Sequence, residues 1–162
     1  RIPDYRLVKN EVASILDEYG LDRPPIHPLS IARAKGLDVK FVKFAGEYEG
    51  VSGFFDPEEN AIYVNKEEPP LRQTFTLAHE LAHALLHREW AGSEEYKVFW
   101  RDMSRNSDDP HEKEANAFAA NLLVPRKMLD EYFRDLTEAD LSRLFAVSVP
   151  VISNRLAFEY GF

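Results

Sequence analysis

Apolar residues recur along this chain with two periods, and the switches between them mark its elements. From Tyr5 to Gly20, Leu7, Val8, Val12, Ile15 and Leu16 follow a helical repeat, which predicts an amphipathic helix stopped by Gly20. The proline-rich turn Pro24-Pro25-Ile26-His27-Pro28 follows, with His27 read as a surface or turn-packing residue. A short helix from Leu29 to Lys35 comes next, closed by Gly36. Leu37 to Phe44, Val51 to Phe55 and Ala61 to Asn65 alternate as strands, the last two joined by the turn Asp56-Pro57-Glu58-Glu59-Asn60. The helical period returns from Arg72 to His87, with Phe75, Ala78, Ala82, Leu85 and Leu86 inward, and again from His111 until Pro125 ends it. Helices and a small, mainly antiparallel sheet are segregated along the chain, so the expected class is α+β.

The second long helical segment carries His79-Glu80-Leu81-Ala82-His83, which spells H-E-x-x-H. Residues four apart on a helix share one face about 6 Å apart, so both imidazoles can converge on one cation. Glu80, one step further round, reaches the water that such a cation holds and is the expected general base. As core histidines without a metal, His79 and His83 would each need a partner or suffer desolvation, and one divalent ion satisfies both.

A catalytic zinc takes three protein ligands and leaves a fourth position open, so a third donor is required. The chain has no cysteine, and position 89, where a metzincin would place its third histidine, is Glu89. His87 lies one turn beyond His83, and three residues on one straight helix face cannot all meet at one ion. His87 is therefore read as a capping or packing residue, favoured as imidazolium by the negative end of the helix. Two glutamates of the next helix compete. At about 100° per residue, Glu112 falls with Ala115, Ala119, Leu122 and Leu123, whereas Glu114 falls on the opposite, expectedly solvent-facing side. Glu112 is thus the expected ligand. Asn116 follows one turn later on the same face, placed to bond the outer nitrogen of a ligand histidine.

Between these helices, residues 88–110 hold Trp90, Tyr96, Phe99 and Trp100, with a short helix expected over 94–103 and a polar, mobile run over 104–109. The aromatics are expected to cover the core, the alternative being that they line the cleft. Leu141 to Leu156 has helix-turn-helix spacing, but its second helix would open with Val149-Pro150-Val151-Ile152, poor in the polar groups that read base edges. A packing role is expected for it.

Composition narrows the function classes. At 162 residues and 44% hydrophobic, the chain suits one domain, residues 1–162, with a helical C-terminal subregion over about 126–162. A net charge of −8 argues against direct DNA binding, which draws its affinity from neutralised phosphates, and favours a basic protein partner. The absence of cysteine, of a signal-peptide pattern and of an apolar run of membrane length leads us to expect a cytoplasmic protein without membrane attachment. The chain opens at Arg1 rather than Met, and whether a further domain or targeting segment precedes Arg1 lies outside this reading.

Taken together, these residues resemble the ImmA/IrrE metallo-endopeptidases. The resemblance is carried by Pro24-Pro25-Ile26, Leu29-Ser30-Ile31-Ala32, Gly36-Leu37-Asp38-Val39 and Ile62-Tyr63-Val64-Asn65. It is most specific in Arg72 with Phe75 to His83, and in Glu112 to Pro125. It implies a zincin-like metallopeptidase domain holding one Zn2+ ion, with Mn2+ or another divalent metal as the alternative. His79, His83 and Glu112 match the family's ligands and Glu80 its catalytic glutamate. Related sites often carry Asp where this chain has Asn116, which can orient an imidazole without adding charge. The implied function is cleavage of a helix-turn-helix, phage-repressor-like regulator to relieve repression, a role in transcription regulation and stress response. The alternative is a metal-containing regulatory or toxin module that binds such a partner without cutting it. A transition-state donor is expected among Tyr63, Tyr96, His111 and Arg72, unranked. Ala61 to Asn65, directly before the metal helix, is the strand expected to receive substrate backbone.

Overall fold

A helix with buried residues all round its middle organises the molecule. In the computed structural model, which describes residues 1–101 and 108–162 and only the backbone of 98–101, this is α3, Pro70–Leu86. Before it come α1 (Tyr5–Glu18), α2 (Pro28–Ala34), β1 (Asp38–Val42), a single 3-10 turn, β2 (Gly53–Asp56) and β3 (Ala61–Asn65). After it come α4 (Arg88–Ala91), α5 (Glu94–Arg101), α6 (Pro110–Leu123), α7 (Arg126–Tyr132), α8 (Glu138–Phe145) and α9 (Val149–Tyr160). The fold is α+β. Pro70 opens α3 where a missing N–H costs no helical bond. Every residue from Thr76 to Ala84 is buried, because β2 and β3 cover one side of the helix, α2 another and α6 a third. Ala78, Ala82, Ala115 and Ala119 are all fully buried. These small side chains suit the close approach of α3 and α6, which make the most extensive contact between elements.

The sheet is mixed rather than mainly antiparallel. Its order is β1-β3-β2, with β1 parallel to β3 and β2 antiparallel to it. The short turn between β2 and β3 makes a hairpin, while β1 reaches β3 only after the chain has passed across to β2 and returned. Consequently β3 is the central strand, paired on both sides, and cannot accept a further strand as the sequence led us to expect. β2 is an outer strand. Gly53 opens it where a Cβ would lie 2.5 Å from Tyr63 O and 2.7 Å from Thr76 Cγ2, so only glycine lets β2 press on both β3 and α3. Gly53→Ala is expected to cost about 1–3 kcal/mol, as overpacking does, read as a lowered urea midpoint; an unchanged midpoint would show that the strand yields freely.

α1 lies along α6 with Val8, Val12 and Ile15 buried. Leu7 is 44% exposed and departs from the expected stripe because it sits about 100° round the helix from those three. The outer face of α6 is consequently covered, and Glu114 is only 1% exposed, not solvent-facing. The signal was present in Phe118, one turn beyond Glu114 and fully buried. At the far end Arg155 Nε donates to Val124 O (3.0 Å) and Nη1 pairs with Glu159 (2.9 Å), the two side chains 3% and 4% exposed. The bond to Val124 O ties α9 to the end of α6, and Glu159, one turn on in α9, balances the buried guanidinium. α8 starts with a reciprocal capping box, Thr137 with Asp140, and ends at Ala146 in a left-handed conformation (φ 56°) that turns the chain into α9. Ile152 and Leu156 then bury against the core, as a packing role requires. Residues 104–107 of the run expected over 104–109, and the end of the helix expected over 94–103, fall outside the described residues, as do the side chains of Phe99 and Trp100.

Candidate metal centre

Three side chains from α3 and α6 meet at the floor of a cleft of about 810 Å³. His79 Nε2 lies 3.0 Å from Glu112 Oε2, and His83 Nε2 lies 3.2 Å from Glu112 Oε1. A tetrahedral site with bonds of 2.0–2.1 Å sets neighbouring ligand atoms roughly 3.3 Å apart. The donor set therefore fits a divalent ion of the zinc type. His83 is fully buried, while His79 and Glu112 are 8% and 6% exposed and line the cleft. Burial would raise the Glu112 pKa, but hydrogen bonds from His79 and His83 outweigh it and hold the carboxyl well below its ordinary range. It is an anion ready for a cation.

Glu80 is a second carboxylate near both imidazoles, since its oxygen and their nitrogens lie within 4.8 Å of one another. Its Oε2 stands 4.0 Å from His79 Nε2, further than Glu112, and its Oε1 accepts from Tyr96 Oη at 2.7 Å. That arrangement suits contact with a water rather than direct ligation. Tyr96 is held in turn by Phe55 N–H of β2, which donates to Oη at 2.6 Å. Burial first, and then the Glu80 charge, push the Tyr96 pKa well up, so the hydroxyl keeps the proton it donates.

Of the outer residues, His79 Nδ1 lies 2.9 Å from Asn116 Oδ1, on the cleft side of α6. His87 caps α3 and is buried, its Nδ1 2.9 Å from His83 Nδ1 and its Nε2 2.7 Å from Glu114 Oε1. Contrary to the imidazolium expectation, burial and then the neighbouring His83 lower its pKa to about 4. The helix-end effect is overridden because the ring is out of water.

The four candidate transition-state donors separate. Tyr63 Oη donates to Glu59 on the outer side of the sheet, and His111 stacks on Trp90 with ring centroids 4.1 Å apart. Tyr96 is engaged with Glu80. Arg72, on the first turns of α3, is the one of the four that lines the cleft. Trp90 and Tyr96 pack behind His83, each ring centroid 5.3 Å from it, instead of lining the cleft. The cleft walls that sequence reasoning missed are residues 50–53 before and within β2, and Val147, Ser148 and Val151 at the start of α9. No motif marks either wall; each reaches the cleft only through the chain's path.

Residues 32–157 match the model of the IrrE N-terminal-like domain, the peptidase M78 family. The chain belongs to this family. The resemblance read from the motifs is thereby borne out, and membership implies a metallopeptidase domain that works with a divalent ion. Among relatives, the radiation response metalloprotease IrrE of Deinococcus radiodurans is 45% identical over 56 residues, covering 35% of this chain and 16% of that protein. Its namesake in Deinococcus deserti is 35% identical over 89 residues, 49% of this chain and 27% of that protein. The chain thus spans only a minor part of these two family members. An uncharacterized immunity region protein 2 of Bacillus phage phi105 is 27% identical over 130 residues, 79% of this chain and 75% of that one. In fold, the chain superposes on a Mycobacterium tuberculosis transcriptional regulator with a TM-score of 0.67 and 17% identity, over 93% of this chain and 46% of that one. Among the described residues, no helix is long and apolar enough to cross a membrane.

Proposed function

We propose that this M78-family domain is a zinc-dependent endopeptidase acting on a helix-turn-helix regulator of the phage-repressor type. The observation that carries the reading is the convergence of His79, His83 and Glu112 on one point of a cleft floor that Glu80 also reaches. In it, His79, His83 and Glu112 hold the ion and Asn116 orients His79. Zinc bound there would polarise a peptide carbonyl and bring the pKa of a water close to about 7. Glu80 Oε2 takes the proton of the attacking water while Tyr96 fixes Oε1, and the same carboxyl delivers that proton to the leaving amine. Arg72 is the cleft-lining donor for the developing oxyanion. Substrate backbone runs beside β2, the outer strand on the cleft, in place of the central β3.

The regulator as substrate is supported by the family resemblance and by the phage immunity-region relative, similar over most of both chains. Direct DNA reading has less support, because α9 buries Ile152 and turns Val151 into the cleft. The test is incubation of the zinc-loaded chain with a helix-turn-helix regulator of the phage-repressor type from the same genome, with fragments identified by mass spectrometry. Cleavage that a chelator stops and zinc restores is the expected result. A stable complex with an intact regulator would instead establish a binding module, and neither cleavage nor complex would remove this partner.

A further inference from the structure

The buried contact between His83 and His87 has a consequence for the metal site that H-E-x-x-H spacing does not contain. We infer that His87 and Glu114 are positioning residues for the metal, a buried hydrogen-bonded chain that fixes the tautomer and ring orientation of His83. The inference rests on the reading of His83 as a ligand.

Proton positions follow from the far end inward. Glu114 Oε2 accepts from Asp4 N–H at 2.6 Å, and both its oxygens accept from Arg1, at 2.6 and 3.1 Å. The carboxyl is 1% exposed and has become an acceptor of several hydrogens, so it is the anion. His87 Nε2, 2.7 Å away, must then carry the hydrogen donated to Glu114 Oε1. In a neutral ring this leaves the lone pair on His87 Nδ1. The facing His83 Nδ1, 2.9 Å away, must be the donor, because two lone pairs pointed at each other with no hydrogen between them would repel. A neutral His83 protonated at Nδ1 has its lone pair on Nε2, the atom 3.2 Å from Glu112 Oε1 and directed at the metal position.

With a cation in place of a proton between Nε2 and Glu112, His83 therefore has one proton arrangement that satisfies every link, and it is the one a ligand needs. The α6 helix serves the site twice: Glu112 faces the ion, and Glu114, two residues on, anchors the opposite end of the chain through His87. Asn116 does for His79 what His87 does for His83, so each imidazole is held at its outer nitrogen.

Two measurements on the full chain test this. Long-range 15N correlation spectra of the zinc-loaded protein should show His83 protonated at Nδ1 alone and His87 at Nε2 alone; the opposite tautomer at either ring overturns the inference. Zinc affinity, read by chelator competition, should fall about 10- to 100-fold in His87→Phe, the usual effect of losing an outer partner. His87→Gln, which supplies both an acceptor and a donor, should recover most of that loss, whereas a merely space-filling role would favour the ring of Phe. A folded His87→Phe chain that binds zinc within threefold of the parent overturns the inference while the metal site stands. A parent chain that binds neither zinc nor another divalent ion removes the metal site and the inference together.

Discussion

Glu80→Gln is expected to keep its metal and lose about 10²- to 10⁴-fold in kcat on the regulator, the usual contribution of a positioned general base. Glutamine has nearly the shape of glutamate, and its carbonyl oxygen can still accept from Tyr96 Oη, so the surroundings of the side chain persist. What it loses is the capacity to take a proton from water and return it to the amine. Metal content measured beside kcat separates this from a damaged site. A variant that cleaves within tenfold of the parent would reject Glu80 as the base.

Glu112→Ala should act on the metal itself. It removes the carboxylate whose oxygens lie 3.0 Å from His79 Nε2 and 3.2 Å from His83 Nε2, leaving two imidazoles on one helix as the remaining ligands. The loss of affinity should exceed the roughly 10- to 100-fold typical of an outer-shell change, so dialysis against a chelator strips the variant while the parent stays loaded. Cleavage falls with occupancy. Circular dichroism and denaturation of the metal-free forms run alongside, because the change also takes a buried acceptor from two histidines. Stoichiometric zinc in the dialysed variant would show that another group supplies the third ligand.

Legibility varied with how local each feature is. The H-E-x-x-H pair is set by helical geometry alone, since i and i+4 share a face wherever the helix sits. The wheel placed Glu112 beside the apolar stripe of α6, and there it lies in the structure, facing α3. The same wheel sent Glu114 to solvent because it treats a helix as having one buried side. α6 has two, one against α3 and one against α1, and Phe118 was the residue that said so. His87 failed for a related reason. Its position at a helix end suggested a charged cap, but burial against His83 and Glu114 decides its proton.

Sequence alone, through periodicity, punctuation by Gly and Pro, and side chains one turn apart, determined the α+β class, the placement of most elements, and the pairing of two imidazoles with a glutamate on α6. Only the tertiary structure decided the strand order that puts β3 in the middle and β2 beside the cleft, and the partnership of Tyr96 with Glu80. It also decided the turn of α9 into the cleft wall and the chain from Glu114 through His87 to His83. The division has a physical cause. Contacts within a few residues follow from backbone geometry that every helix or strand shares, whereas contacts between distant segments depend on how whole faces pack, and that is settled by all of the buried surfaces at once.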